Sequence, residues 1–159
     1  MAYTKTSQQV VFTYTENQLF DKASLASTFM TKDIKTKEGV SLAEEFSLSE
    51  DERVIFVEHL GKVVSKIHEL LQRHLGAELV SLSLISSLVI TIKDNANYTD
   101  SNLVLLDSSL EETIAEGCLM EWFKTCSQVE LFKLAVDKYV EYVESLRDRL
   151  FLLKKKRAI

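Results

Sequence analysis

Apolar residues recur along this chain with two different periods, and the switches between them mark out the elements. Phe56, Leu60, Val63, Val64, Ile67, Leu70 and Leu71 fall at three- and four-residue steps, which lines them up as one stripe on a long helix. Ser49-Glu50-Asp51-Glu52 opens that helix as a capping box with acids in the first turn. Arg73, His74 and Gly76 suit its end. Over residues 78–93 the period drops to two. Val80, Leu82 and Leu84 alternate with serines, and Leu88, Ile90 and Ile92 alternate with Val89 and Thr91, which predicts strands joined by a turn at Ser86-Ser87. After the polar stretch Asp94–Asp100, the run Leu103–Leu106 predicts one more short strand. Ser108 with Glu111, or Asp107 as the cap, opens a helix through Ile114, Cys118, Met120, Trp122 and Phe123. Ser127 with Glu130 opens the last helix, with Phe132, Ala135, Val136, Tyr139, Val143, Leu146 and Leu150 on one side. The short join makes these two helices an antiparallel hairpin.

The beginning of the chain is less regular. Residues 1–16, rich in Thr, Val and Tyr, predict an extended arm or edge strand, residues 17–30 a short helix, and residues 31–46 a loop or small hairpin. The expected fold is therefore α+β, mainly α: a helical bundle of three main helices with a small β-hairpin or strand pair. It divides into residues 1–44, an N-terminal arm with a short helix and loop, and residues 45–159, a helical domain. The length of 159 residues suits a real core, and 46% apolar residues is too many for a disordered chain. Proline is absent and glycine occurs four times, which agrees with long unbroken elements.

Charge narrows the choice of partners. The net charge is −5, and removing the four cations Lys154, Lys155, Lys156 and Arg157 takes residues 1–150 to −9. Such an acidic body disfavours tight binding to DNA, which needs cations to neutralise phosphates; DNA sliding past without sticking remains compatible. The terminal cations read as a solvated helix end that complements the helix dipole, or as a docking element for an acidic partner. Cys118 and Cys126, eight apart on a helix, lie about 12 Å from each other, beyond disulfide reach; they read as thiols of a reducing compartment. The first residues show no apolar run after a basic start, and no stretch approaches the length of a membrane helix. A cytosolic product with no membrane contact is expected.

Catalytic patterns are missing. His59, His68 and His74 form no HExxH, and no glutamate stands three residues before any of them. There is no GxSxG, no CxxC and no glycine-rich loop before a helix. Adjacent acids such as Glu44-Glu45 and Glu111-Glu112 point about 100° apart on a helix and make no acid/base pair by themselves. Trp122 and Phe123 sit mid-helix, where core packing is the default. No catalytic, cofactor or metal site is expected. What does ask for a partner is the strand pair: Leu82, Leu84, Leu88, Ile90 and Ile92 make an apolar face short of neighbours. A lone hairpin is marginal in water, so this one packs back on its own helices or pairs edge to edge with another subunit.

The order of elements resembles a known family. SLSEDERVIFVEHLGKVVSKIHELL, then a strand-like middle, then LEETIAEGCLMEWFKTC and LFKLAVDKYVEYVESLRDRLFLLKKKR, are similar in layout to the head-tail connector (adaptor) proteins of tailed bacteriophages. They are similar also to small virion neck proteins of gut Bacteroidetes phages. The shared features are "EDER" entering the first long helix, "EWF" in the second, and Leu-Arg-x-Arg-Leu within Ser145–Leu150, over roughly residues 45–157. The resemblance implies a non-enzymatic subunit of a ring, commonly a dodecamer, that docks under the portal protein and extends the DNA channel towards the tail. It would be assembled in the bacterial host cytoplasm and reside in the virion neck, meeting tail or further neck proteins. Arg147, Arg149, Lys154, Lys155, Lys156 and Arg157 would face the portal or a neighbouring subunit. A head-completion or tail-terminator neck protein is an alternative, and a cytosolic helical protein-binding regulator is another from a different class.

Overall fold

A computed structural model describes residues 3–6, 8–32, 34, 39, 42–95 and 98–157; of residues 44, 45, 152 and 154–157 it describes the backbone alone. The elements are β1 (Tyr3–Thr6), β2 (Gln9–Thr15), α1 (Glu16–Thr31), α2 (Leu42–Phe46), α3 (Arg53–Leu75), β3 (Leu79–Leu84), β4 (Ser87–Lys93), α4 (Asp100–Thr125) and α5 (Val129–Arg157). The fold is α+β and mainly α, as the periodicity predicts. The sheet, however, has four strands in the order β1-β2-β4-β3, every neighbouring pair antiparallel.

The extra strands come from the N-terminal arm, and they correct the picture of an unpartnered hairpin. β2 pairs with β4 from Gln9 opposite Lys93 to Thr15 opposite Ser87. Rows of apolar side chains then run across the sheet: Tyr3, Phe12, Ile90 and Leu82 in one, Tyr14, Leu88 and Leu84 in the next. Val10, Phe12, Tyr14, Leu88, Ile90 and Ile92 are all buried against the helices. The boundary between residues 44 and 45 is therefore not a break in packing, since the arm completes the sheet and α1 packs on α4.

α4 is the central helix, touching α1, α3 and α5. Every residue from Thr113 to Phe123 is buried, so this stretch is covered all round rather than on one stripe. Its start corrects a second expectation. Thr99 caps it, its Oγ1 accepting from the Asn102 amide at 3.2 Å, so Leu103–Leu106 is helical, not a strand. Leu103, Leu106 and Leu110 are buried while Val104 and Leu105 are exposed, the period of a helix. A four-residue apolar run cannot show that period by itself.

The remaining joints follow local chemistry. The Ser49 amide donates to Glu52 Oε2 at 3.1 Å, and Glu50–Glu52 forms a 3₁₀ turn that leads into α3. Arg53 ties that turn to α1: its guanidinium donates to Glu16 at 3.1 Å, Asn17 at 2.7 Å and Glu50 at 2.9 Å, and lies 4.0 Å from the Phe20 ring centre. Between α4 and α5, Ser127 adopts a positive φ of 58°. The Gln128 amide there reaches back to the Phe123 carbonyl at 3.1 Å, closing the helix hairpin. Ser127 is thus the bend and not the cap of α5; the Gln128 carbonyl accepts the first bond, from Phe132, at 2.8 Å.

Candidate functional site

The strand residues singled out for contact between subunits separate into two groups. Leu88, Ile90 and Ile92 belong to β4, whose two edges are both paired and whose side chains are buried in the protein's own core. They are not available to another subunit, because β2 supplies the neighbour that residues 78–93 lack by themselves. Leu82 and Leu84 lie on β3, half-buried beneath the sheet, and β3 is an edge strand. Its sequence LVSLSL contains no charge and no proline, two of the devices that keep sheet edges from pairing with other chains. A register shift between Leu79 and Ser81 is its one irregularity.

The sheet face turned away from the helices is equally unguarded. Thr4, Val11, Thr91 and Ser81 form one row across it, and Thr13, Val89 and Ser83 another. Thr4, Thr13, Ser81 and Ser83 are exposed. Of the strand residues on this face, Lys93 at the end of β4 is the one that carries a charge. At the opposite end of β4 from Lys93, Ile85 in the β3–β4 turn is 94% exposed, and Val80 on β3 is 44% exposed. Ile85 is visible in the sequence as an apolar residue between two strands; that β3 ends as an edge is not.

Arg147 and Arg149 sit in different surroundings. Arg147 lines a groove of about 370 Å³ between α3 and α5, together with Lys66, Glu69, Arg73, Tyr139 and Glu144. Its lining brings three cations, two carboxylates and one phenol together. Arg149 is half-buried, with its Nε lacking a hydrogen-bond partner. Lys154, Lys155, Lys156 and Arg157 have their backbone in the last turns of α5; their side chains lie outside the described residues.

Other ionisable groups serve packing. His59 is buried between α3 and α4 with its Nε2 3.1 Å from Thr125 Oγ1. Thr125 gives its own proton to the Glu121 carbonyl at 3.0 Å, so His59 donates from Nε2 and its buried Nδ1 has no partner. Burial holds this imidazole below its usual range. Cys118 and Cys126 are both free. Burial, with a smaller effect of Glu52, pushes the Cys126 thiol up to about 11, and burial raises Cys118 as well, which suits inert thiols. Trp122 packs in the core and donates to the Phe46 carbonyl at 2.7 Å, pinning α2 to α4. Among the described residues no group of His, Cys, Asp and Glu is placed to hold a metal ion, and no helix is long and apolar enough to cross a membrane. Comparison with protein-family models, with curated proteins and with solved structures returned no match.

Proposed function

We propose that this protein is a structural subunit that joins copies of itself through the two open edges of its sheet. The ring so formed is of the head-tail connector type in the neck of a tailed phage virion. The observation that carries self-assembly is the direction of the edge strands. Four strands, all antiparallel, leave β1 and β3 at opposite edges running in opposite directions. A copy placed beside another with its helices on the same side then presents β1 antiparallel to its neighbour's β3, and the sheet continues from subunit to subunit. Such a head-to-tail contact is heterologous and closes into a ring when the rotation per copy allows it. Docking under the portal, a dodecameric ring and an acidic channel wall that DNA slides past rest on the family resemblance and on the −9 body.

The test is native mass spectrometry of the purified full-length protein, alone and with portal protein, beside an S81K/S83K variant. Both serines are exposed on β3, so the variant is expected to fold, and charge on an edge strand is a known block to edge pairing. A closed ring that binds portal, and falls to monomers in the variant, is the expected result. A protein that is strictly monomeric and never binds portal overturns the proposal. Particle position separates a connector from a head-completion or tail-terminator protein. Capture of one host protein with no virion signal supports the regulator instead.

A further inference from the structure

Carboxylates recur along α4, and those of its first half find partners on the neighbouring elements. Asp107 accepts from the Tyr14 hydroxyl at 2.7 Å. Glu111 accepts from Gln18 Nε2 at 2.8 Å and pairs with Lys22 at 3.3 Å. Farther along, Glu116 is 7% exposed, and its Oε1 is buried without a hydrogen-bond partner. Burial pushes its carboxyl above the usual range, against the pull of Lys138 on α5. An unmet buried carboxylate is costly.

Glu116 also borders a pocket. About 140 Å³ of half-open space is lined by Lys22, Ala26, Glu112, Ala115, Glu116 and Tyr142. A single water needs about 10–15 Å³ of such space, so there is room for the end of a long side chain. The walls combine two carboxylates, two methyl groups and a tyrosine ring, which suits a cationic head on a methylene stem. Lys22, the cation already there, is engaged by Glu111.

The chain carries its own candidate occupant. Lys154, Lys155, Lys156 and Arg157 are four cations on a body of charge −9. They cannot reach their own pocket. α5 is helical from Tyr142 to Arg157, which holds the backbone of residues 154–157 about 18–22 Å along the axis from Tyr142, and Leu150 and Leu153 are buried, packing that end of the helix down. The geometry points to a second copy: the pocket beside Glu116 receives a lysine or arginine side chain from the basic end of α5 of a neighbouring molecule. The contact joins different surfaces of the two copies, so it is head-to-tail, like the proposed edge pairing. It rests on that reading's self-association and not on the sheet edges.

The experiment mixes full-length protein of natural and heavy isotopic composition and treats it with a zero-length carbodiimide, which couples a carboxylate to an amine. Heavy-to-light links from Glu112 or Glu116 to Lys154, Lys155 or Lys156 are expected. E116Q has no carboxylate to couple at 116, so its readout is the Glu112 links, whose yield should fall about tenfold, equivalent to about 1.4 kcal/mol. E116Q keeps the shape and removes a buried ionisable group whose raised pKa costs stability once pH rises above the ordinary carboxylate range. It is therefore expected to melt no lower than the parent at neutral pH. Links confined within single molecules, no such links, or Glu112 links unchanged in E116Q overturn the inference. The S81K/S83K variant separates the two proposals. Tail links that persist in it while the ring is absent from parent and variant alike sustain this contact and refute edge pairing; a ring without tail links does the reverse.

Discussion

Two glycines show how one residue type takes opposite meanings. Gly117 lies in the buried middle of α4, where a Cβ would come within 2.8 Å of Val63 Cγ1 and 3.1 Å of Tyr139 Cε2. Gly61 is in α3 with nothing within 4 Å of the same position. Gly61→Ala is expected to stabilise by about 1 kcal/mol, the ordinary helix gain. Gly117→Ala should lose about 1–2 kcal/mol, because Val63 is β-branched and cannot step aside. Urea unfolding of both variants checks the pair, and a stabilising Gly117→Ala would show the α3–α4–α5 junction to be looser than described. His59 sets a pH dependence. Its native pKa is lowered, so below about 6.5 the unfolded chain binds the extra proton more readily. Stability should therefore fall as pH drops through 6.5, levelling off beneath the native value. His59→Gln, which keeps a donor for Thr125, should flatten that fall in urea midpoints measured at pH 7.5 and pH 5.5.

Among elements, α4 departs furthest from what its residues announce. Stripe-bearing α3 is legible from Phe56 to Leu71, because a helix with one wet face must alternate at the helical period. α4 is covered by α1, α3 and α5, so its apolar residues appear on every side and leave no period to read. Its first turns were hidden for another reason: Ser108 and Asp107 offer cap-like residues inside the helix, while the working cap is Thr99, one full turn before Leu103. Thr99→Ala should cost about 1 kcal/mol and fray the first turns without unfolding the bundle. Amide hydrogen exchange would show faster exchange confined to residues 100–106; loss of protection throughout α4 would place its nucleus at this end instead.

For the whole molecule, the N-terminal hairpin decides whether the sheet is a finished part or an open one. It covers the β4 edge along seven paired positions and adds Val10, Phe12 and Tyr14 to the core. Removing residues 1–15 should therefore expose both a sheet edge and the apolar row of Leu88, Ile90 and Ile92. The expected outcome is aggregation or failure to fold, seen by light scattering and circular dichroism. A truncated protein that stays monomeric and keeps its helical spectrum would mean that the helices alone carry the fold. The same pairing moves the unsatisfied edges from β4 outward to β1 and β3, which is where assembly is proposed.

Local physics in the sequence determines which stretches are helices with one apolar face, where the tight α4–α5 join falls, which residues alternate as strands, and that no familiar catalytic or metal pattern is present. Those features depend on neighbours a few residues away, through helical spacing, caps and the two-residue strand repeat. Tertiary structure alone decides that Val11 and Thr91 stand side by side, that β4 is interior, that His59 is buried, and that Glu116 borders a pocket with an unmet oxygen. Each of these joins residues tens of positions apart, and strand partners and burial are set by the whole packed chain, not by the order of residues along any one segment.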